Sequence, residues 1–326
     1  MKHLEVASRR RVLRALGGCA LAPVAGLSAC GWQASEPIRV GTHPWPGYEL
    51  LHLAQALGQV PAEQVRLIET TSASASLRAL SSGSMEGACL TLDEVLTARA
   101  SGVDLVIVAV LDVSLGADAV LAPARLRSLA DLRGRRIGVE HSAVGAVMLD
   151  ALLASAELGL AEVEPRYVTI DQHEKALLNG EVDALVTYEP VKSRLLQAGA
   201  HELFSSAQIA GRIVDTLALR RDVLPDQTDA VRALVHGHFA ALQSWHTEPA
   251  VHAAFLAERL GLAPEQVASA YAELDLPTIE RNHEWLRGNP PPLETSARQL
   301  AAVMVRAGLL EAAPAMDGLW SAAYLP

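Results

Sequence analysis

In a chain with only 4% aromatic residues, Trp45 and Tyr48 fall within four positions of each other, with Pro46 and Gly47 between them. Two rings so close offer a flat, apolar surface to a ligand, unless both pack the following helix onto its sheet. A hydroxyl-rich stretch follows at Thr70, Thr71, Ser72, Ser74 and Ser76. One of these hydroxyls serves as a helix cap, and the excess supplies hydrogen-bonding groups around exposed N–H donors. Carboxylates form the third group: Asp93 with Glu94 just after Thr91, Asp112 at the end of an apolar run, and Glu189 directly after Tyr188. Near helix starts such acids balance the helix dipole. Facing a cleft beside Trp45, Tyr48 and Tyr188, they suit a cationic or multiply hydrogen-bonding ligand. Ser142, Val144 and Gly145 mark one more helix start, with Ser142 as its cap.

These residue types point to binding rather than catalysis. The chain has no GxSxG, P-loop or HExxH pattern. After the first 29 residues it keeps two lysines, Lys175 and Lys192, and a lone Cys89 in an apolar run, which reads as a core residue. His236 and His238 are two apart and so point to different faces of a helix, while His43 and His52 flank the aromatic loop. No metal site and no cofactor is expected. The formal charge is −10, and no Lys/Arg cluster lies beyond the first 29 residues, which excludes a phosphate-backbone surface; no nucleic-acid partner is expected.

The elements that must position these side chains follow from periodicity. Residues 38–40 read as a strand, 41–47 as a loop and 48–57 as a helix, so Trp45 and Tyr48 fall where an open α/β sheet leaves a crevice. Strands at 65–69 and 88–92 and a nearly continuous apolar run at 104–111 continue an alternating α/β pattern. An extended segment at 117–121 precedes a second unit that begins near Ser128 with a short helical turn at 129–133; extended segments at 135–140, 166–170 and 183–187 follow, with helices from 142 to 158 and from 172 to 179. Segments 201–205 and 213–219 are extended. From 226 to 310 four or more helices follow, broken near Pro249, Pro264, Pro277 and Pro290. The late helices are expected to pack back on the first unit.

The amino end reads as an export signal. Arg9, Arg10, Arg11 and Arg14 precede an apolar run at 15–29 too short to span a membrane. Leu27-Ser28-Ala29-Cys30 resembles the bacterial lipobox, which makes Cys30 the lipidation site; a plain thiol beside a cleavage site is the alternative. Ser8-Arg9-Arg10-Arg11-Val12-Leu13 also resembles a twin-arginine signal. Residues 30–36 read as a tether.

Taken together, the opening strand and loop at 38–48, the stretch Leu129 to Val139, Asn179-Gly180-Glu181-Val182-Asp183-Ala184 and Tyr188-Glu189-Pro190 resemble periplasmic substrate-binding proteins of the nitrate/sulfonate/taurine class. That resemblance implies a two-lobed α/β periplasmic binding protein, type II-like, that closes as a Venus flytrap about two hinge segments. Lobe one is then 37–117 plus 215–326 and lobe two 118–214, with hinges near 116–120 and 213–217. It further implies a small-molecule ligand, an ABC permease and ATPase as partners, an extracytoplasmic monomer anchored through lipid on Cys30, and ligand loops at 43–48, 72–76, 91–93, 112–114, 142–145 and 188–189. No Lys or Arg lies in those loops, where a simple anion would favour one. The rival functions are a ligand-sensing receptor for a membrane signalling protein and, last, an enzyme like the hydroxymethylpyrimidine phosphate synthases, whose cysteine-rich motif this chain lacks.

Overall fold

The computed structural model describes residues 36–326. The expected leader at 1–29, the lipidation site Cys30 and all but the last residue of the tether lie outside the described residues.

The chain first alternates through β1 (Ile38–Thr42), α1 (Pro46–Ala56), β2 (Val65–Glu69), α2 (Ala73–Ser81), β3 (Gly87–Thr91), α3 (Leu92–Ala100) and β4 (Leu105–Ser114). It then builds β5 (Asp118–Ala122), β6 (Arg136–Val139), α4 (Ala143–Ser155), β7 (Glu164–Tyr167), α5 (His173–Leu178), β8 (Ala184–Tyr188), α6 (Val191–Gln197) and β9 (His201–Ser205). It returns through β10 (Val214–Arg220) to α7 (Thr228–Thr247), α8 (Pro249–Leu260), α9 (Pro264–Ala272), β11 (Leu274–Asp275), α10 (Ile279–Leu286) and α11 (Pro292–Arg306).

Two sheets result, in the orders β11-β4-β10-β3-β1-β2 and β7-β6-β8-β5-β9. In the first sheet β4 runs against both β11 and β10. Two further interior strands run against both neighbours, β10 against β3 and β4, and β5 against β8 and β9. These are the strands that follow the two crossings between sheets, over 115–117 and 206–213.

Local chemistry sets the helix starts. Pro46 occupies the first turn of α1, where its missing N–H costs nothing. The Ser72 and Ser142 hydroxyls accept from the N–H groups of Ala75 (3.4 Å) and Gly145 (3.1 Å), capping α2 and α4 as their types predict. Several boundaries differ from periodicity. β1 runs to Thr42 rather than 40 because it goes on pairing with β2, and α1 begins at Pro46 rather than 48, since the Tyr48 and Glu49 N–H groups already donate to Trp45 O (3.0 and 3.2 Å). β4 runs on through Asp112, Val113 and Ser114, because β10 continues to pair with it there. β7 begins at Glu164 rather than Arg166, since its N–H donates to Arg135 O (2.8 Å) and so fixes the register with β6; the chain then turns tightly at Ile170. α4 ends at Ser155 rather than near 158, closed by the Leu158 N–H to Leu153 O bond (3.0 Å).

The late helices pack on the first sheet's layers. α7 and α8 lie against α1, and α11 lies against α3. All ten residues of β4 are buried, and its outer side needs partners that the two-residue β11 is too short to supply. Asn282 of α10 fills the gap: its amide accepts from Val110 N–H (2.8 Å) and donates to Val110 O (2.9 Å). The terminal segment does the same at Ile107 through Leu319 O and the Ser321 N–H. Asn282→Ala leaves two buried backbone groups of β4 unpaired and is expected to cost about 2 kcal/mol after water partly replaces the amide; urea unfolding followed by circular dichroism measures it.

Candidate functional site

Where the helix-bearing ends of the two sheets face each other, a small cavity takes its walls from both. The first sheet contributes His43, Trp45 and Tyr48 from the β1–α1 turn, Ala73 and Ser74 from the start of α2, Thr91 and Glu94 from the start of α3, and Asp215 from β10. The second contributes Asp118 from β5, Glu140, Ser142 and Val144 around the start of α4, and Tyr188 from the end of β8. Ile213 closes it at a crossing segment. The free space is about 40 Å³, room for a water or so, whereas organic ligands occupy pockets of about 300–1,000 Å³.

The rings form a connected wall. Trp45 meets Tyr188 edge-on at 6.1 Å and lies tilted to Tyr48 at 6.4 Å, and His43 stands edge-on to Tyr48 at 5.1 Å. Carboxylates beneath hold the rings: Trp45 Nε1 donates to Asp112 (3.0 Å), and the Tyr48 hydroxyl donates to Asp215. Asp112 and Asp215 are themselves register partners on β4 and β10. Burial pushes Asp112 up to about 7 against hydrogen bonds with Trp45 and Asp215, and it pushes Asp215 well above the usual carboxylate range with the charge of Asp112 adding to the rise, so the pair retains a proton near neutral pH.

The remaining acids behave alike. Burial lifts Asp118 to about 7 against the opposing Ser114 hydroxyl. Burial, then the neighbouring Asp93, lifts Glu94 to about 8. Burial raises Glu140, whose carboxylate lies beside the Tyr188 hydroxyl, and it lowers His43 to about 4. No Lys or Arg lines the cavity among the described residues.

Of the residues expected from sequence, Trp45, Tyr48, Ser74, Thr91, Ser142, Val144 and Tyr188 line this cavity together. Pro46, Gly47, Ser72 and Gly145 lie in the adjoining helix starts without lining it. Gly47 is the point of closest approach, since a Cβ there would collide with the Asp112 carboxylate. The three acids singled out from sequence stand elsewhere. Asp112 sits behind Trp45, Asp93 is buried in the first turn of α3, and Glu189 turns into α6 to accept from the Ser193 hydroxyl (2.9 Å). The acids on the wall are instead Glu94, Asp118, Glu140 and Asp215. Asp118 and Asp215 carry a sequence signal, a carboxylate in an otherwise apolar strand, the same signal that marked Asp112.

Lys192 does not reach the cavity. Its ammonium, on a side chain 1% exposed, donates to Gly116 O (2.9 Å) and to both oxygens of Glu273 (2.7 Å), and pairs with Glu202 (2.8 Å).

Comparisons with known proteins agree with this architecture. A protein of Escherichia coli (strain K12) named for binding aliphatic sulfonates is 27% identical over 146 residues, 44% of this chain and 46% of its own length. That match therefore spans about half of the relative. The alkanesulfonate-binding protein SsuA of Xanthomonas axonopodis pv. citri, solved with MOPS, superposes with a TM-score of 0.72 at 21% identity, over 88% of this chain and 99% of its own. A ligand-binding component of an ABC-type import system from Staphylococcus aureus, solved with zinc, gives 0.75 at 13% identity, over 89% and 97%. At such identities the likeness is one of fold, that of the periplasmic binding proteins. The family model described as NMT1/THI5 like matches residues 64–250, more than half of the sequence and from β2 into α8. The chain belongs to the NMT1/THI5-like family.

Proposed function

We propose that this chain is the solute-binding component of an ABC importer, held at the outer face of a membrane through lipid on Cys30. It takes a small molecule between two lobes, 37–117 with 215–326 and 118–214, and presents it to a permease driven by an ATPase. The observation that carries this reading is the cavity walled from both sheets, with the chain crossing between them at 115–117 and 206–213. Ligand contacts on both walls favour closure, because a ligand shifts such an equilibrium only through contacts better made in one state. The relatives named for solute binding support the same reading. Binding rather than catalysis is favoured because the one buried lysine among the described residues is engaged by carboxylates away from the cavity.

A thermal-shift panel of amines, nitrogen heterocycles and sulfonates tests it. A ligand at a hundred times its dissociation constant adds roughly 2.7 kcal/mol, several degrees in melting temperature for a protein of this size. Trp45→Ala is expected to abolish the shift given by any hit. A hit that Trp45→Ala binds as tightly as the parent argues against this cavity.

A further inference from the structure

Resting on that reading, we infer that the solute is a small organic cation whose N–H groups are donated to Asp118 and Asp215 while its carbon skeleton lies against Trp45 and Tyr188. The two aspartates come from different sheets and are 3% and 2% exposed. Each lines the cavity, and Oδ2 of each has no partner outside the Asp112–Asp215 carboxyl pair; Thr91 Oγ1 and His43 Nδ1 on the same wall are likewise unpartnered. Buried oxygens without donors are costly and rare, and two at one cavity mark where donors from outside the chain belong. Glu94 and Glu140 complete a wall with four carboxylates and, among the described residues, no basic side chain. An N–H-bearing cation satisfies these oxygens, and the ring faces suit its charge.

The same structure argues against a sulfonate, the class bound by the named relatives. An anion at such a cavity relies on free N–H groups at helix starts. Here the chain's own side chains occupy at least one such N–H at each of the three helix starts on the wall. The Glu94 carboxylate accepts from the Thr91 N–H at the start of α3 (3.0 Å). Ser142 caps α4, and Asp93 lies beside the Val144 N–H on the same helix. Ser72 caps α2. A sulfonate brings acceptors only, to a wall of four carboxyls that would have to stay protonated to receive it, whereas an N–H-bearing cation is favoured as they ionise. Among the described residues no group of three or more metal-ligating side chains offers a metal site as an alternative.

The test uses protein expressed from the full chain and two probe panels at equal concentration: benzylamine, agmatine, histamine and benzamidine against taurine, ethanesulfonate and MOPS. At least one cation is expected to raise the melting temperature by several degrees, with no shift from the sulfonates. Asp118→Asn and Asp215→Asn, which keep the shape but lose the charge, are expected to weaken that cation about a hundredfold. Glu140→Gln, on a separate element, serves if either fails to fold. Shifts from sulfonates alone overturn the cation assignment and leave the solute-binding reading standing, as does a cation hit that the Asn variants bind like the parent. If neither panel shifts the protein and acid denaturation releases no small molecule from it, the solute-binding reading itself fails.

Discussion

Without added solute, the protein is expected to lose stability as the pH rises from 6.5 to 8. Burial raises the folded-state pKa of Asp118 to about 7 and of Glu94 to about 8, and it raises Asp112 and Asp215 as well. In the unfolded chain these groups titrate near 4. The folded state therefore binds more protons throughout the interval above 4, and stability falls with pH until the folded groups have ionised. Four histidines act oppositely. Burial, as the leading cause, lowers His43, His173 and His238 to about 4 and His52 to about 3. A histidine with a depressed folded pKa gives its full contribution above the unfolded value near 6.5 and loses it as pH falls toward 4. Below 6.5 the two sets offset one another. Above it only the carboxylates act, and the expected loss is about 2–4 kcal/mol by pH 8. Melting temperatures across that interval measure it, and Asp215→Asn is expected to flatten the slope. A melting temperature that rises or holds level from pH 6.5 to 8 contradicts the account.

Replacing Lys192 by methionine is expected to destabilise the fold by about 3 kcal/mol, at the lower end for a broken buried ion pair because its partners stay partly solvated. Methionine preserves the length and apolar stem of the lysine, so the loss isolates the ammonium. That ammonium ties three places together: the Gly116 carbonyl in one crossing, Glu202 on β9, and Glu273 just past α9. Glu273 O also accepts from the Leu115 N–H (2.8 Å), so the crossing is pinned from two directions. With the ammonium gone, the proposed hinge loses one of these ties, and weaker solute affinity is expected alongside the shifted unfolding midpoint. Arginine is not expected to rescue, since a planar guanidinium does not fit a three-donor point site. A midpoint shift under about 0.5 kcal/mol in urea would falsify the role given to this contact, being within the range of an ordinary surface change.

Much of this was legible in the sequence, for reasons that differ by element. β1 and α1 are legible because two distinct hydrophobic periods meet there, although Pro46 and Gly47, read as loop residues, form the first turn of α1. β4 is legible because a strand buried on both faces reads as an unbroken apolar run. The acids of the cavity wall were not, because facing depends on parity and pairing. Tyr188 and Glu189 are consecutive, so one side chain lines the cavity while the other turns away into α6. Asp215 meets Asp112 only through the register of β10 on β4, across a separation along the chain that no local pattern encodes. Asp118 reaches the same cavity because β5 pairs it with Tyr188. β7 shows the same limit, since its start was set by a backbone bond to Arg135 rather than by its own residues.

The cavity volume also bears on how fast a molecule can be captured. About 40 Å³ admits no organic solute, so encounter with this arrangement is unproductive and entry waits on a wider one. The affinity a cell experiences is then the intrinsic affinity diluted by the fraction of time the wider arrangement is populated. Residues remote from the wall, such as the contacts at the crossings, thereby set the scavenging threshold for the solute without touching it.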